Sequence, residues 1–445
     1  LYLSDIPPAG TTLPLTEAGS RIYFGERTDH YVVVRTNVPE FDYPVGDSGK
    51  DTRFEPDRGI ALASATRRLA LAWELGDTNL LISNQLGADS RVLMRRALDQ
   101  RIKQVAPFLR LDLDPYAVVL DGRILWVQDA FTTSDRFPYA QHRGDVNYIR
   151  NSVKVVIDAY NGTTNFFLAD ATDPIALTMA NVFPELFKPM SDMPDGLRQH
   201  VRYPEDIFAI QSAVFATYHM TNPGVFYNKE DQWQVPVLNA GERSAQPIQP
   251  YYTIMKLPGE SRAEFIQMLP FTPRLKDNLS AWMVARSDGE HYGRLRVYQF
   301  PKQSIVYGPS QIEARINQDQ TISPQITLWN QQGSNVRRGG LIVIPVGRAL
   351  LYAEPIYLQA ERSPMPELRL VVLALQDRLG YGPSFEAALT ALLGSDAAAF
   401  AGGGRASTTA PAGNSSSLPG ATSGIPAAGG ASSSLAGSLA GSLPG

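Results

Sequence analysis

Polar side chains crowd the connection between two predicted β-hairpins of this 445-residue chain. Carboxylate and imidazole groups can act as general acids and bases, whereas hydroxyl and guanidinium groups can bind an anion or a sugar. Because loops on a rigid support often carry function, we expect a binding site formed by Asp129, Thr132, Thr133, Ser134, Asp135, Arg136 and His142. The alternative is a structural connection in which Ser134 and Asp135 bind backbone amides and Arg136 pairs locally.

Two further groups combine histidine with acidic residues. His200 precedes the acidic start of a predicted helix, His219 lies at the end of that helix, and Glu290-His291 lies in a predicted turn. Either group could pair a histidine with a carboxylate as a general base. The sequence favours structural roles instead, with His219 bound to free carbonyls at its helix end and Glu290-His291 as ordinary turn residues.

Strong catalytic motifs are absent from the sequence, including phosphate loops, dinucleotide fingerprints, zinc-protease helices and nucleophile elbows. The chain has no cysteine and only five scattered histidines, so we predict no metal and no cofactor. Its net charge of −4 disfavours nucleic acid as a partner. These features favour a non-enzymatic binding module. The alternative is an envelope glycan or lipid hydrolase or transferase that uses Asp129, Asp135 and His142, at least two of which must then converge in one pocket.

The candidate residues are held by two predicted hairpins within residues 117–170. Asp121-Gly122 and Asn161-Gly162 each indicate a type I′ turn, in which both central residues need a positive φ. In the second hairpin, alternation places Val153, Val155 and Ile157 on one face and Lys154, Val156 and Asp158 on the other. The sequence therefore predicts one apolar face and one mixed face.

Helices are predicted before the hairpins. One runs over about 60–75, with a core-facing stripe of Leu62, Ala65, Leu69 and Trp73. A second begins at Asp89 as its N-cap and buries Met94, Leu98, Ile102 and Val105. The second helix is also basic, through Arg91, Arg95, Arg96, Arg101 and Lys103. That pattern is typical of a solvated outer face, and contact with phosphates, lipid headgroups or an acidic partner is the alternative.

The second half of the chain is predicted to be rich in strands between residues 251 and 380, including strands at 303–307 and 325–329 and a turn at Gly347-Arg348. Without regular βαβ alternation, we expect an α+β fold with a helical N-terminal part carrying β-hairpins and then a mainly antiparallel β-rich part. We divide it into an N-terminal lobe (1–175), a helical segment followed by a β-rich lobe (176–396), and a Gly/Ala/Ser-rich tail (397–445). The composition of the tail predicts disorder.

Several runs of sequence resemble uncharacterised protein family 0182. They are residues 22–26, 40–44, 92–96, 106–112, 132–139, 147–154, 202–206, 216–220, 251–256, 311–315 and 328–333. The resemblance covers roughly residues 20–395. It implies the soluble part of a large multi-pass membrane protein of unknown function, common in cyanobacteria and actinobacteria.

That resemblance also implies a place in the cell and a set of partners. The chain is expected to face the outside of the cell membrane, to follow its own N-terminal transmembrane region, and to meet an envelope protein, a lipid or a small ligand. Self-association is left open. Residues 1–20 lack the pattern of a signal peptide, and no uncharged apolar stretch reaches about 18 residues, so we expect a soluble fragment of a longer protein.

Overall fold

The computed structural model describes residues 15–238, 246–303, 305–330, 333–346, 349–360 and 365–394. The fold is α+β, as predicted. The predicted turn at Gly347-Arg348 and the predicted tail at 397–445 lie outside the described residues. Among the described residues, every helix falls short of the length and apolar character needed to cross a bilayer.

The first part of the chain forms three sheets with short helices around them. Its strands are β1 (Val32–Val34), β2 (Glu40–Val45), β3 (Ser48–Thr52), β4 (Ile60–Ala61), β5 (Arg91–Leu93), β6 (Arg110–Leu111), β7 (Tyr116–Leu120), β8 (Arg123–Ser134), β9 (Tyr148–Asp158), β10 (Thr164–Leu168) and β11 (Phe187–Pro189). Its helices are α1 (Ala65–Leu75), α2 (Asn79–Ile82), α3 (Leu98–Val105), α4 (Pro174–Val182) and α5 (Asp195–Arg198). The strand orders are β1-β5-β4, the hairpin β2-β3, and β11-β10-β9-β8-β6 with β7 on β8.

The remaining elements form the second part. Its helices are α6 (Glu205–Tyr218), α7 (Pro223–Asn228), α8 (Pro309–Gln318), α9 (Ile322–Trp329) and α10 (Phe385–Leu393). Its strands are β12 (Trp233–Gln234), β13 (Val237–Leu238), β14 (Gln246–Pro247), β15 (Tyr251–Lys256), β16 (Ala263–Pro273), β17 (Ala281–Arg286), β18 (Leu295–Gln299), β19 (Ser334–Arg338), β20 (Ile342–Val346), β21 (Ala349–Ala360), β22 (Glu367–Leu375) and β23 (Arg378–Gly382). The main sheets are β12-β16-β17-β18, with β15 on β16, and β19-β21-β22-β23, with β20 on β21.

The two predicted hairpins are present and join into one sheet, because β8 pairs antiparallel with β9. Asp121 (φ 49°) and Gly122 (φ 76°) both have positive φ, which confirms the type I′ turn between β7 and β8. The same prediction at Asn161-Gly162 is wrong. The connection there runs over residues 159–163 and only Gly162 has a positive φ, because the Asp158 carboxylate accepts the amides of Tyr160 (2.9 Å) and Asn161 (3.0 Å) and organises a longer loop.

The core-facing stripe predicted for the first helix is wrong in part. Residues 60–61 form β4 instead, and α1 buries Leu71 and Ala72 against α2 and β5. Leu69 and Trp73 are 60% and 88% exposed. The neighbours of α1 therefore select a different face from the one that the apolar spacing favours.

The start of the second predicted helix is also wrong. Residues 91–93 form β5, which lies between β1 and β4, so strand pairing on both sides overrides the helical spacing. The helix α3 begins only at Leu98. Its buried residues include Leu98 and Ile102, as predicted, while Val105 is 49% exposed.

Two predicted strands of the second half are not strands. Residues 325–329 belong to α9, whose Ile322, Ile326 and Trp329 pack on one core at the i, i+4, i+7 spacing of a helix. The described residues of 303–307 form no regular strand.

Candidate functional site

The predicted site begins inside the sheet rather than in a loop. Asp129 lies on β8 directly opposite Lys154 of β9, and the Lys154 ammonium donates to its carboxylate. Their side chains are 1% and 0% exposed. Burial lowers the pKa of Lys154, and the Asp112 carboxylate acts in the opposite direction. An enclosed pair of this kind stabilises or orders the sheet and offers no open group to a substrate.

Thr132 is also buried, and it contributes to the support of a helix. Its hydroxyl donates to Asp173 (2.5 Å), as do the hydroxyls of Ser152 (2.6 Å) and Tyr148 (2.7 Å). Asp173 is the N-cap of α4 and accepts two backbone amides at the start of that helix. Burial by itself would raise the pKa of Asp173, but these hydrogen bonds outweigh it and the pKa is lowered.

The other predicted residues lie toward the surface. Thr133 and Ser134 are half-buried, whereas Asp135, Arg136 and His142 are exposed. The Ser134 hydroxyl accepts the amide of Arg136 (3.1 Å), and the Arg136 guanidinium lies 3.7 Å from the Asp135 carboxylate, as the structural alternative predicts for Ser134 and Arg136.

Asp129 does not meet the condition set for a catalytic site, which is convergence with Asp135 or His142 in one pocket. Six residues of extended chain separate Asp129 from Asp135, which is about 20 Å. Asp129 is enclosed with Lys154, while Asp135 and His142 face solvent. The structure therefore does not bring Asp129 into one pocket with either of them.

Both histidines of the group around α6 hold structural contacts, whereas Glu290-His291 lies in a single 3-10 turn, as the turn interpretation predicts. His219 Nδ1 binds the Phe215 carbonyl (3.1 Å) near the end of α6, which confirms the interpretation favoured for it. Its ring stacks on Trp233 at 3.7 Å between centroids. Burial lowers the pKa of His219, partly opposed by hydrogen bonding to the Phe215 carbonyl. His200 Nδ1 likewise binds a helix carbonyl, that of Gly196 (2.6 Å).

A group that could hold a metal ion was missed by the sequence reasoning. Glu260, Glu264 and His291 bring one ligand atom each within 4.8 Å of one another. However, the buried Arg286 guanidinium pairs with both carboxylates and Arg296 pairs with Glu260 at 2.7 Å. Two guanidinium charges at the carboxylates oppose a cation there, so these acids act as counterions for arginine. No local spacing signals the group, because strand pairing assembles it.

An open cleft lies elsewhere, between β1, the hairpin β2-β3 and residues 20–23. Its volume is about 530 Å³. Sites for small ligands commonly occupy 300–1,000 Å³ (roughly) and combine apolar walls with a few polar groups. This cleft has both, with Ile22 and Phe41 among its apolar residues and Tyr23, Glu40 and Arg96 among its polar ones.

One wall of the cleft is an edge of β1 that is free of any described strand, since β5 is its one partner among the residues that the structure describes. The amide of Leu62 donates to the Ser90 carbonyl (2.8 Å), so this carbonyl faces the β4 side and, by alternation, the main-chain groups of Val92 face β4 as well. Arg91 and Leu93 then bond to β1 through Val34 and Val32. The main-chain N–H and C=O of Val33 consequently point toward the free edge.

Four charged groups line the cleft; Arg21 and Asp42 pair with each other at 2.8 Å, and the other two, Glu40 and Arg96, lie at opposite ends of β1. Beyond its end, the Glu40 carboxylate accepts the amide of Arg35 (3.0 Å) and the hydroxyl of Tyr23 (2.5 Å). Burial raises the pKa of Tyr23, and the bond to Glu40 raises it further. Before its start, the Arg96 guanidinium donates to the carbonyls of Tyr23 (2.6 Å) and His30 (3.0 Å). Within the described ranges Arg96 forms no ion pair, so its charge remains available to a ligand.

Only an indirect signal for this cleft is present in the amino-acid sequence. Its polar residues come from four separate stretches, and the sequence pattern groups Arg96 with the basic residues of a predicted helix. Glu40 is a charged residue between the apolar Pro39 and Phe41, and this is the feature that could have drawn attention to it, whereas Arg96 follows another arginine and carries no such signal.

Comparison with known proteins gives a family match but no assigned activity. A family model described as "Uncharacterised protein family (UPF0182)" matches residues 1–329. A UPF0182 protein of Pelotomaculum thermopropionicum is 50% identical over 398 residues, which cover 89% of this chain and 43% of that protein. One from Bradyrhizobium diazoefficiens is 50% identical over 395 residues, or 88% of this chain and 42% of that protein.

The relatives are longer than this chain and come from diverse bacteria. A third, from Desulforamulus reducens, is 49% identical over 401 residues and covers 89% of this chain and 43% of that protein. The chain thus spans less than half the length of the relatives it matches, and they come from a wider range of bacteria than the two groups expected. No solved structure matches this chain.

Proposed function

This chain belongs to the uncharacterised protein family UPF0182, and we propose that it is the ligand-binding module of a longer bacterial envelope protein. The proposal places it on the extracytoplasmic side of a multi-pass membrane protein. Resemblance to the family supports that location, and the greater length of the relatives leaves room for further segments.

The cleft beside β1 is the observation that carries the binding role. It combines about 530 Å³ of open space with apolar side chains and, as far as the described ranges extend, with an unpaired strand edge and an arginine that has no carboxylate partner. Such a convergence of a few polar groups on an apolar cavity is typical of ligand sites. The acid and base candidates give no comparable support to hydrolysis, because Asp129 is enclosed by Lys154.

Binding in the cleft can be tested with an apolar fluorescent anion, 8-anilinonaphthalene-1-sulfonate. Thr52 lines the cleft, whereas Ser48 lies exposed at the other end of β3. We expect saturable fluorescence enhancement with the wild-type chain and with Ser48→Trp. Thr52→Trp should lose most of it, because the indole fills the opening. No binding by the wild type, or equal binding by both variants, would contradict the proposal.

The cellular side can be tested separately because the chain has no cysteine of its own. A Ser48→Cys substitution in the full-length protein provides one exposed thiol in this region for a membrane-impermeant maleimide. We expect labelling of that region in intact cells. Labelling only after lysis would overturn the extracytoplasmic placement while leaving the binding role intact.

A further inference from the structure

We infer that the cleft takes a short extended peptide, which adds as an antiparallel strand to the free edge of β1. The inference rests on the proposed function, since it names the ligand class of the same cleft. Three observations lead to it: the main-chain groups at the edge of β1, the spacing of the charged groups, and the nature of the side chains around the opening.

The main chain of β1 selects a peptide over other small molecules. Val33 directs one N–H donor and one C=O acceptor toward the free edge. Backbone donors and acceptors that leave water need partners. A peptide in extended conformation supplies an acceptor and a donor at the spacing of a strand ladder, which is the basis of recognition by strand addition.

The spacing of the charged groups limits the length of the peptide. Arg96 binds the carbonyl of His30 and Glu40 binds the amide of Arg35, five residues later. Fully extended, five residues would span about 17 Å; because the strand covers Val32–Val34 alone, this is the upper limit, and it restricts the peptide to roughly four or five residues. The Arg35 amide is the next one after Val33 that faces the free edge, and it already donates to Glu40. An added strand therefore cannot continue past Arg35.

The sign of the charges sets the direction of the peptide. The cationic Arg96 lies beyond the start of β1 and the anionic Glu40 lies beyond its end. A C-terminal carboxylate at Arg96 forms a charge-assisted hydrogen bond, and the peptide amine then lies toward Glu40. A chain in that orientation runs antiparallel to β1.

The surrounding side chains favour small apolar residues in the peptide. Ile22 and Phe41 line the cleft and are substantially exposed without a ligand. Covering them removes apolar surface from water, which is favourable. The ligand class is therefore a free-ended tetra- or pentapeptide with small apolar side chains.

An N-methyl scan of Ala-Val-Ala-Val-Ala tests strand addition without changing the protein. Methylation removes one amide donor at a time, and affinity is measured by isothermal titration calorimetry. In a strand pair only alternate residues face the partner. We expect methylation of an amide that faces Val33 to weaken binding roughly three- to tenfold, the net effect of one hydrogen bond, and methylation of its neighbours to have little effect.

The ends of the peptide test its direction. Amidation of the C-terminus should weaken binding to the wild-type chain, and Arg96→Gln should remove the difference between the amidated and the free peptide. Arg67→Gln is the matched control, because it removes the same charge from an exposed position on α1. If Arg96→Gln does not fold, the amidated peptide still tests the direction of the bound peptide and the methyl scan still tests strand addition, since both use the wild-type chain.

The outcomes separate this inference from the proposed function. If the fluorescent anion binds in the cleft but the peptide does not, the binding role stands and the peptide inference is overturned. Peptide binding that is insensitive to methylation also overturns it. If neither probe binds, both proposals fail.

Discussion

Replacing Lys154 by methionine should destabilise the sheet strongly, because it leaves the Asp129 carboxylate buried without its ammonium. Both side chains are essentially inaccessible, at 0% and 1% exposure, so water cannot take the place of the lost partner. Removing one member of a buried pair usually costs about 3–5 kcal/mol. We expect Lys154→Met to lose that amount of unfolding free energy.

The double variant Lys154→Met/Asp129→Leu provides the decisive comparison. Replacing a buried pair by apolar residues of similar volume is often neutral or stabilising. We therefore expect it to recover most of the stability lost in the single variant. Urea unfolding followed by circular dichroism gives the free energies, and hydrogen exchange of β8 and β9 shows where stability changes.

Two results would refute this reasoning. A loss of less than about 1 kcal/mol in Lys154→Met would be typical of a solvated pair, contrary to the burial described here. A double variant as unstable as the single one would show that packing, rather than the unpaired charge, determines the loss. Binding of the fluorescent anion per folded molecule should stay unchanged in both variants, since neither residue lines the cleft.

Three further predictions concern carboxylates and the surface loop. Asp173→Ala should cost about 3 kcal/mol through the lost N-cap and hydroxyl bonds. Because the folded-state pKa of Asp173 is lowered, its contribution is present above about pH 4 and lost as the pH falls further, a dependence that urea unfolding should show in the wild type and not in the variant. Burial raises the pKa of Asp112 to about 6, so the folded state binds this proton more tightly and stability should rise as the pH falls from about 6 to about 4; Asp112→Asn should abolish that rise in the same assay. The exposed Asp135→Asn and His142→Ala should each change unfolding free energy by less than about 0.5 kcal/mol and leave binding of the fluorescent anion unchanged. A large change in unfolding free energy or in anion binding by either variant would indicate that Asp135 or His142 has a functional role.

Local sequence signals predicted the elements whose geometry is decided locally. The Asp121-Gly122 turn formed because its residues tolerate positive φ, and β8 and β9 formed from runs of β-branched residues. The same reasoning failed at residues 91–93, which match a helical spacing but are held as a strand by neighbours far along the chain. Trp73 likewise lies outside the core because the partners of α1 cover another face.

The candidate site was less predictable than the fold. Proximity in sequence suggested that Asp129 and His142 could cooperate, but strand alternation directs Asp129 toward Lys154. The cleft joins residues 20–23, β1, the hairpin β2-β3 and Arg96, which only tertiary pairing brings together. The main-chain N–H and C=O of Val33 could not be predicted as binding groups, because every residue except proline has the same two groups whatever its side chain.

The most direct test of the binding role is native mass spectrometry after incubation with a small-molecule extract of bacterial envelopes. The account predicts that the wild-type chain and Ser48→Trp each retain one bound small molecule per chain, and that Thr52→Trp retains none. Retention of the same molecule by Thr52→Trp, or its absence from the wild type, would contradict the assignment of the cleft as the ligand site.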